Sequence, residues 1–463
     1  MKNSISIIGG GFAGTSLVRQ LVERTTPIKI TLFNFDSEIS KGVAYGCLQN
    51  TSLLNVETSK MSAFADHPTH FLDWCANHPT YINDSKEIIG SSFMPRKIYG
   101  DYLHSIWLET IELAKSKKCE LIIINEEVLA LNLIENKLTV FTANNSHTFD
   151  KCVLATGNEL PGKPKNLPNS FIESTNYFKN PWNIDFDKID PALPVLIIGN
   201  GLTMADAVLN LRENHFQQKI ISISPNGFNI LPHRNFNFSF ESALSTIQTP
   251  ISLLELIHLF NLEAKKLKKF GVSPEPIIDA FRPNIQKVWR QFSDEEKSKF
   301  MRRVRHIWGV ARHRIPFISY DKIMREQINQ RLVILAGSVL ELSETSAGNK
   351  VKIWNKRSLQ EIEILVGSVI NCTGPETNVL KSSNKLLKQL RHDGLISQDK
   401  LNLGLRVNYT NFKTINSKNE ENQNLFAIGS LLKGELWEST ATNELKNQAK
   451  ELAVILTNEL LKT

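Results

Sequence analysis

The sequence is poor in cysteine: Cys47, Cys75, Cys119, Cys152 and Cys372 are scattered over 463 residues. No two of them form a C-x-x-C pair, so neither a thiolate metal site nor a disulfide framework is indicated, and no metal is expected. A nucleotide enzyme that reduces disulfides needs two closely spaced redox cysteines, and these are missing as well. Scattered, unpaired thiols fit a reducing compartment, which makes a cytoplasmic location the expectation. Long apolar runs are also lacking. None approaches the ~20 residues that cross a bilayer, so no membrane partner is expected. The N-terminus carries one Lys and no small-residue cleavage pattern, and is read as the first strand of the fold rather than a secretory leader. Cations exceed anions by a formal charge of +7, which points to anionic partners only where that charge is clustered.

A chain of 463 residues exceeds what one hydrophobic core ordinarily holds, so two or more domains are expected. Glycine is concentrated at the start. Ser6-Ile7-Ile8 runs as a buried strand into Gly9-Gly10-Gly11-Phe12-Ala13-Gly14. Leu17, Val18, Leu21 and Val22 then recur at helical spacing before a second strand, Lys29 to Phe33. A lone G-x-G-x-x-G is weak evidence, but strand, helix and second strand around it specify a dinucleotide cradle. Gly9 makes the tight turn, Gly11 lets backbone approach a pyrophosphate, and Gly14 lets helix and strand close on each other. The helix N-terminus presents unpaired N–H groups to the phosphates. Asn34 and Asp36 end the second strand, where such a fold usually places an acid on the ribose hydroxyls. Asn34 takes that place, with an amide that bonds a hydroxyl without the help of charge.

Residues 41–104 hold Lys41-Gly42-Val43-Ala44-Tyr45, Leu54-Asn55-Val56, Met61-Ser62-Ala63-Phe64 and Phe71-Leu72-Asp73-Trp74. These residues could wall a flat heteroaromatic ring or form a satellite core, and spacing alone favours the core. His67 and His70 have no third ligand nearby and are read as turn residues around Pro68. Arg96, between Pro95 and Tyr99-Gly100, is either a polar anchor or a solvated helix start. From Cys119 the pattern becomes a β-meander that returns to one buried strand ending in Ala155-Thr156-Gly157, followed by a Pro-rich linker, Leu160 to Leu167.

Then the plan repeats. Val195-Leu196-Ile197-Ile198 enters Gly199-Asn200-Gly201-Leu202-Thr203-Met204, and a second meander, from Leu332, ends in Cys372-Thr373-Gly374. The duplication is more specific than either turn, because it implies two nucleotide sites of one design exchanging electrons. Met204 stands where a third glycine would be. The following strand ends in Ser224-Pro225-Asn226-Gly227 with no base for a 2′-phosphate, so this position gives no support to NADP over NAD. Between turn and meander lies a helical insert, about 250–326. Its Met301 to Arg314 stretch carries no acid, and ends in Arg312-His313-Arg314 before Pro316. Two readings have equal standing: a solvated basic face, or an anion site for a phosphate or carboxylate. A nucleic-acid surface is not expected, because the remaining charge is not gathered around this stretch. Near the C-terminus Leu425 to Ser430 reads as a buried strand. A helix with an apolar stripe of Leu445, Ala449, Leu452, Leu456 and Leu460 follows, and Ser439 or Thr440 can cap it.

These pieces together resemble the two-dinucleotide-binding-domain flavoproteins, and more narrowly the FAD-NAD(P)-binding family that includes a bacterial FAD-dependent urate hydroxylase. The Gly9 turn, Gly42-Val43-Ala44-Tyr45, Leu54-Asn55-Val56, Pro95-Arg96, Ala155-Thr156-Gly157, the Gly199 turn with Asp206, Trp289-Arg290, Trp308 with Arg312-His313-Arg314, and Trp437-Glu438 with Thr440-Ala441 carry the likeness. It implies an α/β chain of two Rossmann-like domains, each with a β-meander, and a helical insert in the second. The FAD-binding domain would take residues 1–185 and 376–463, and the NAD(P)-binding domain 186–375. By the same resemblance FAD would be held by Gly9, Gly11, Phe12, Ala13, Gly14, Asn34, Asn55, Met61, Arg96, Thr156, Gly157, Gly429, Ser430, Thr440 and Ala441. NAD(P)H would lie at Gly199, Gly201, Leu202 and Thr203, and Arg312, His313 and Arg314 would hold an anionic substrate or a cofactor phosphate. Asn34 and Pro225 depart from the family pattern, which tends to have Glu and Arg there. The implied activity is that of a flavin-dependent monooxygenase, in which NAD(P)H reduces FAD and dioxygen is used to hydroxylate a small anionic or nitrogen-containing metabolite. An amine N-hydroxylase is the alternative within enzymes; a flavin-dependent nucleic-acid-modifying protein and a redox sensor are the alternatives outside that chemistry. No residue is singled out as acid or base.

Overall fold

The structure, a computed structural model, describes residues 3–24, 28–35, 38–46, 52–234 and 240–461; Asp36 and Cys47 lie outside them. In chain order the strands are β1 (Ser4–Ile8), β2 (Lys29–Phe33), β3 (Glu120–Ile124), β4 (Ala130–Ile134), β5 (Lys137–Phe141), β6 (Ser146–Phe149), β7 (Lys151–Leu154), β8 (Tyr177–Phe178) and β9 (Val195–Ile198). They continue as β10 (Ile220–Ser224), β11 (Leu332–Thr345), β12 (Gly348–Asn355), β13 (Gln360–Val366), β14 (Ser368–Asn371), β15 (Val407–Asn408), β16 (Lys413–Ile415) and β17 (Glu421–Ala427).

Among the described residues two sheets dominate. One runs β15-β16-β17-β7-β1-β2-β3, the other β13-β12-β11-β10-β9-β14-β8. Ile5, Ile7, Val153 and Leu154 in the first, and Val195, Leu196, Ile197 and Ile370 in the second, are fully buried. Continuous apolar runs of this kind suit parallel strands covered on both faces. The cores of the sheets superimpose in order: β17-β7-β1-β2-β3 corresponds to β8-β14-β9-β10-β11, all parallel neighbours. In each, the order reverses beside the strand that carries the glycine turn, which is where an open α/β sheet binds its ligand.

The meanders differ. β4-β5-β6 forms a separate three-stranded sheet, whereas β11 runs on from the second sheet to pair with β12, with a register shift between Val339 and Glu341. The first sheet draws on both ends of the described chain, residues 4–154 and 407–427, and the second only on its middle. The helix Phe12–Glu23 packs against the helix Thr442–Leu461. Ala449, Leu452, Leu456 and Leu460 are buried along the latter, on the stripe expected from sequence.

Between β10 and β11 the helices Leu253–Lys269, Glu275–Phe281, Ile285–Gln291, Asp294–Arg303 and Arg305–Arg312 share one core with Trp437. Ser252 with Glu255 and Ser293 with Glu296 form capping boxes that start two of them. The next helix, Phe317–Ile328, packs against Leu202–Glu213 instead and so serves as the crossover from β10 to β11. The aromatic stretch at 41–104 makes its own core around Phe71, Tyr99 and Tyr102, with Met61 inside it. His70 begins a helix there, with its Nδ1 2.9 Å from the Tyr102 hydroxyl.

Candidate functional site

The first turn is shaped by close backbone approach. Gly9 has φ +118°, and a Cβ on it would lie 2.2 Å from the Ala155 carbonyl oxygen. A Cβ on Gly14 would lie 1.9 Å from the Gly9 oxygen, so the helix Phe12–Glu23 sits directly on the strand. Gly11 is different. Its backbone is extended (φ −75°, ψ −171°), and the nearest atom a Cβ would meet is the Gly42 Cα, 3.8 Å away. Gly11 and Gly42 therefore pack backbone against backbone in the wall of the cavity. The helix that opens from Gly11 has no acid in its first turn, as an anion at its N-terminus requires.

The second turn reproduces this geometry. Gly199 has φ +113°, and a Cβ there would lie 2.2 Å from the Cys372 carbonyl oxygen. Gly9 N–H donates to the Phe33 oxygen at 2.9 Å, and Gly199 N–H to the Ile223 oxygen at 2.8 Å. Gly201 opens the helix Leu202–Glu213 with extended backbone and no atom within 4 Å of a Cβ. Met204, fully buried, fills the place where Gly14 brings its own helix close. After β10, the Ser224–Gly227 turn has no base of its own. Arg357, exposed on the β12–β13 hairpin, reaches it, with Nη2 donating to the Gly227 oxygen at 3.2 Å. No local signal in the sequence could have placed Arg357 there, 130 residues away.

A cavity of about 320 Å³ extends from the first turn and is lined by Gly9, Gly11, Phe12, Ala13, Asn34, Thr156, Gly157, Gly429, Ser430 and Thr440. Gly42 and Tyr45, from the 42–74 region that the resemblance assigns to FAD, line it too, as do Lys41 and Glu126, which were not expected. The Asn34 side chain lies over Gly10, where a Cβ would come 2.5 Å from its Oδ1. Glu126 stands at the cavity edge, its carboxyl held below its ordinary pKa chiefly by the Thr142 hydroxyl. The bare glycine backbone and the acid-free helix N-terminus fit an adenine dinucleotide. Gly14, Asn55, Met61, Arg96 and Ala441 lie outside the lining. The Asn55 carbonyl is 2.9 Å from His233 Nε2, and Arg96 Nη2 is 3.6 Å from Asp206 on the helix Leu202–Glu213. Burial raises the Asp206 carboxyl above its ordinary pKa despite that cation. Both contacts tie the first turn's surroundings to the second's.

The expected cap at Ser439 is not formed. Its hydroxyl donates to the Gly429 oxygen at 2.7 Å and accepts from Gln448 Nε2 at 2.7 Å, while Gln448 Oε1 accepts from Gly429 N–H at 3.0 Å. The trio binds the end of β17 to the last helix. Arg312 and Arg314 do not converge on one anion. The break of helix at His313 (φ −101°, ψ 83°) sends neighbouring side chains to different partners. Arg312 Nε donates to Glu438 Oε2 at 3.0 Å, and Arg314 pairs with Asp279. Glu438 Oε1 also accepts from Trp308 Nε1 at 2.7 Å, and Trp289 Nε1 donates to the Gly434 oxygen at 2.8 Å, so the insert is fastened to the segment before the last helix.

His313 keeps part of its surface open but is crowded by protein. Desolvation pushes its pKa down to about 4; Glu438 opposes that shift, and Arg312, Lys433 and Arg282 add to it. A histidine depressed on folding binds its proton more readily in the unfolded chain. Its contribution is complete above its ordinary pKa, about 6.5, and is lost as pH falls towards 4. Urea midpoints measured across that window should fall for the native protein and fall less for His313→Asn; equal slopes would show that His313 titrates normally.

The paired sheets and duplicated glycine turns define the fold of the two-dinucleotide-binding-domain flavoproteins. Residues 6–159 match the FAD-NAD(P)-binding family, which places an FAD-NAD(P)-binding domain in this part of the chain. An Escherichia coli K12 protein, YdhS, itself uncharacterized, is 24% identical over 220 residues, an alignment that takes in 46% of this chain and 40% of that protein. The chain thus matches less than half the length of this curated relative. Among solved structures, the Kutzneria sp. 744 ornithine N-hydroxylase, described with reduced FAD, NADP+ and L-ornithine, is similar with a TM-score of 0.66, 16% identity and full coverage of both chains. L-lysine 6-monooxygenase from Pseudomonas syringae is similar with a TM-score of 0.66 and 14% identity, over 100% of this chain and 99% of that one.

Proposed function

We propose that the chain is an FAD-dependent, NAD(P)H-using monooxygenase that hydroxylates a small nitrogen-containing metabolite. The observation that carries this reading is the matched pair of glycine turns, Gly9 on Ala155 and Gly199 on Cys372, within a chain whose first turn lies in an FAD-NAD(P)-binding match. The likeness to amine hydroxylases acting on ornithine and lysine favours nitrogen as the atom attacked. Bound FAD would accept a hydride from the nicotinamide and deliver the electrons to dioxygen.

In this reading the bare backbone of Gly11 and Gly42 in the cavity wall and the helix N-terminus hold the pyrophosphate, Glu126 and Asn34 meet the adenosine end, and Thr440 and Ser430 face the ring. Gly201 and the N-terminus of Leu202–Glu213 hold the second pyrophosphate, and Arg357 supplies the cation for a 2′-phosphate that Pro225 does not. Disulfide reduction is disfavoured by the described cysteines. Burial raises the Cys75 and Cys152 thiols to about 12 and Cys372 further, so none of these three offers a thiolate, and Cys119 forms no C-x-x-C pair.

Anaerobic mixing of the yellow protein with NADPH or NADH tests the reading. Bleaching of the flavin should be faster with NADPH, the preference should shrink in Arg357→Ala, and admission of air with a primary amine or a heteroaromatic amine should consume oxygen and yield hydroxylated product. A protein that purifies without flavin, or one whose flavin neither reductant bleaches, would remove the proposal.

A further inference from the structure

Two short segments outside the lining of the first cavity, 52–55 and 93–96, pair with each other. Leu54 N–H donates to the Met94 oxygen and Arg96 N–H to the Ser52 oxygen, each at 2.8 Å, and Leu53 bridges Pro95 between them. This platform meets the second nucleotide fold twice. His233 places Nε2 2.9 Å from the Asn55 oxygen and its ring 5.0 Å from that of Phe93. Arg96 Nη2 lies 3.6 Å from Asp206 Oδ2, with both side chains only 14% exposed. Asp206 stands one turn into the helix that opens from Gly201, and His233 N–H donates to the oxygen of Ile315, part of the core beneath that helix.

The ion pair differs from the others that cross the same boundary. Among the described residues, 177–371, from β8 to β14, are joined to the rest of the chain by Arg282–Glu444, Arg312–Glu438, Asp294–Lys400 and Asp206–Arg96. The first three start from the helical insert, and only Asp206 stands on the glycine-turn fold itself. As a source of stability the pair is poor. Arg96 Nε is buried with no hydrogen-bond partner among the described residues, and a buried ion pair seldom repays its desolvation. The best-attested use of such a pair is to fix the register of the elements that it joins. Here each element carries part of a nucleotide site. The helix Arg96–Ser116 lays Gly100 against the Tyr45 carbonyl, and Tyr45 lines the first cavity; the helix Leu202–Glu213 presents its N-terminus at the second turn.

We propose that Arg96 and Asp206 are positioning residues for flavin reduction, their pair setting the approach of one nucleotide to the other. This rests on the reading that FAD and NAD(P)H occupy the two turns. Reduction moves one hydride, two electrons with a proton, from NAD(P)H to FAD and leaves NAD(P)+. It needs the reacting atoms about 3–3.5 Å apart, and a misplacement of about 1 Å costs about a hundredfold in rate. The pair acts through the elements that it joins, so nucleotide binding is spared.

The test uses the full-length, FAD-loaded protein with Asp206→Asn, Arg96→Gln, the two together, and Asp206→Glu. The double variant leaves no lone buried charge, which keeps the test open where a single variant does not accumulate. In anaerobic stopped flow with NADPH, each neutral variant should lose about a hundredfold in limiting rate of bleaching, with half-saturation within about threefold and native flavin content. The double variant should be within about twofold of either single one, because the residues act as a unit, and Asp206→Glu should recover most of the rate. A free N-benzyl dihydronicotinamide, which has no dinucleotide to anchor it at the second turn, should bleach all forms equally. Without turnover, amide hydrogen exchange at 52–55 and 93–96 should be about tenfold faster in the double variant, while β1 and β9 exchange as in the native protein. An unchanged limiting rate in the double variant, losses that multiply from the single variants to the double, a loss shared by the free dihydronicotinamide, or native exchange at the platform would overturn the proposal. A native protein that neither nucleotide bleaches removes the two-nucleotide reading and this inference with it; a native protein that bleaches normally beside unchanged variants removes the inference alone.

Discussion

Gly11→Val is expected to yield a folded, colourless protein. The extended backbone at Gly11 accepts any residue, and a Cβ there meets only the Gly42 Cα at 3.8 Å, so folding loses little. The valine methyls stand in the cavity wall where a pyrophosphate must lie against bare backbone. The ratio of flavin to protein absorbance should fall to background while far-ultraviolet circular dichroism stays native. Gly9→Ala separates this from a folding defect. At φ +118°, with the Ala155 oxygen 2.2 Å from the new methyl, it should not accumulate as folded protein at all. The counterpart Gly201→Val should remain yellow and lose bleaching by NADPH. Full flavin in Gly11→Val would place the cofactor elsewhere.

Glu438→Ala should be the most destabilising single change on the insert side. Glu438 is buried, holds an unfavourable φ of +65°, and accepts from both Trp308 and Arg312. Arg312 is only 9% exposed, and losing its one close carboxylate leaves a buried cation unpaired. Changes of this kind cost about 3–5 kcal/mol. Glu438→Gly should recover about 1 kcal/mol relative to Ala by relieving the backbone, without restoring the pair. The measurement is the urea midpoint of the insert, followed by tryptophan fluorescence since Trp289, Trp308 and Trp437 share its core. Native stability in Glu438→Ala would mean that Arg312 has another counter-charge within reach.

What could be read from sequence was what local geometry alone dictates. Gly9, Gly14 and Gly199 are glycines because backbone passes where a Cβ would stand: Ala155-Thr156 at Gly9, Gly9 itself at Gly14, and Cys372-Thr373 at Gly199. Both turns and the stripe of the last helix follow from such short-range rules; the first meander does so only from β4 on, because β3, expected as its first strand, pairs in parallel with β2 as the edge of the main sheet. The rest depends on contacts between distant segments. Arg357 beside Gly227, Arg96 on Asp206, Glu126 at the cavity edge and Gln448 on Gly429 leave no periodicity or spacing to detect. The run Arg312-His313-Arg314 left a solvated face and an anion site equally open for a related reason: the chain leaves the helix at His313, and the two arginines meet separate carboxylates on distant segments.

The division of the first sheet between residues 4–154 and 407–427 has a temporal consequence. During synthesis the middle of the chain can complete its sheet as a contiguous unit while the earlier strands still lack β17 and the helix that covers them. Gly429, Ser430 and Thr440 reach the cavity only with this last segment. The cavity at the first turn is therefore completed late, and a ribosome stalled before residue 421 would carry a nascent protein whose second sheet is assembled while the first still lacks β17.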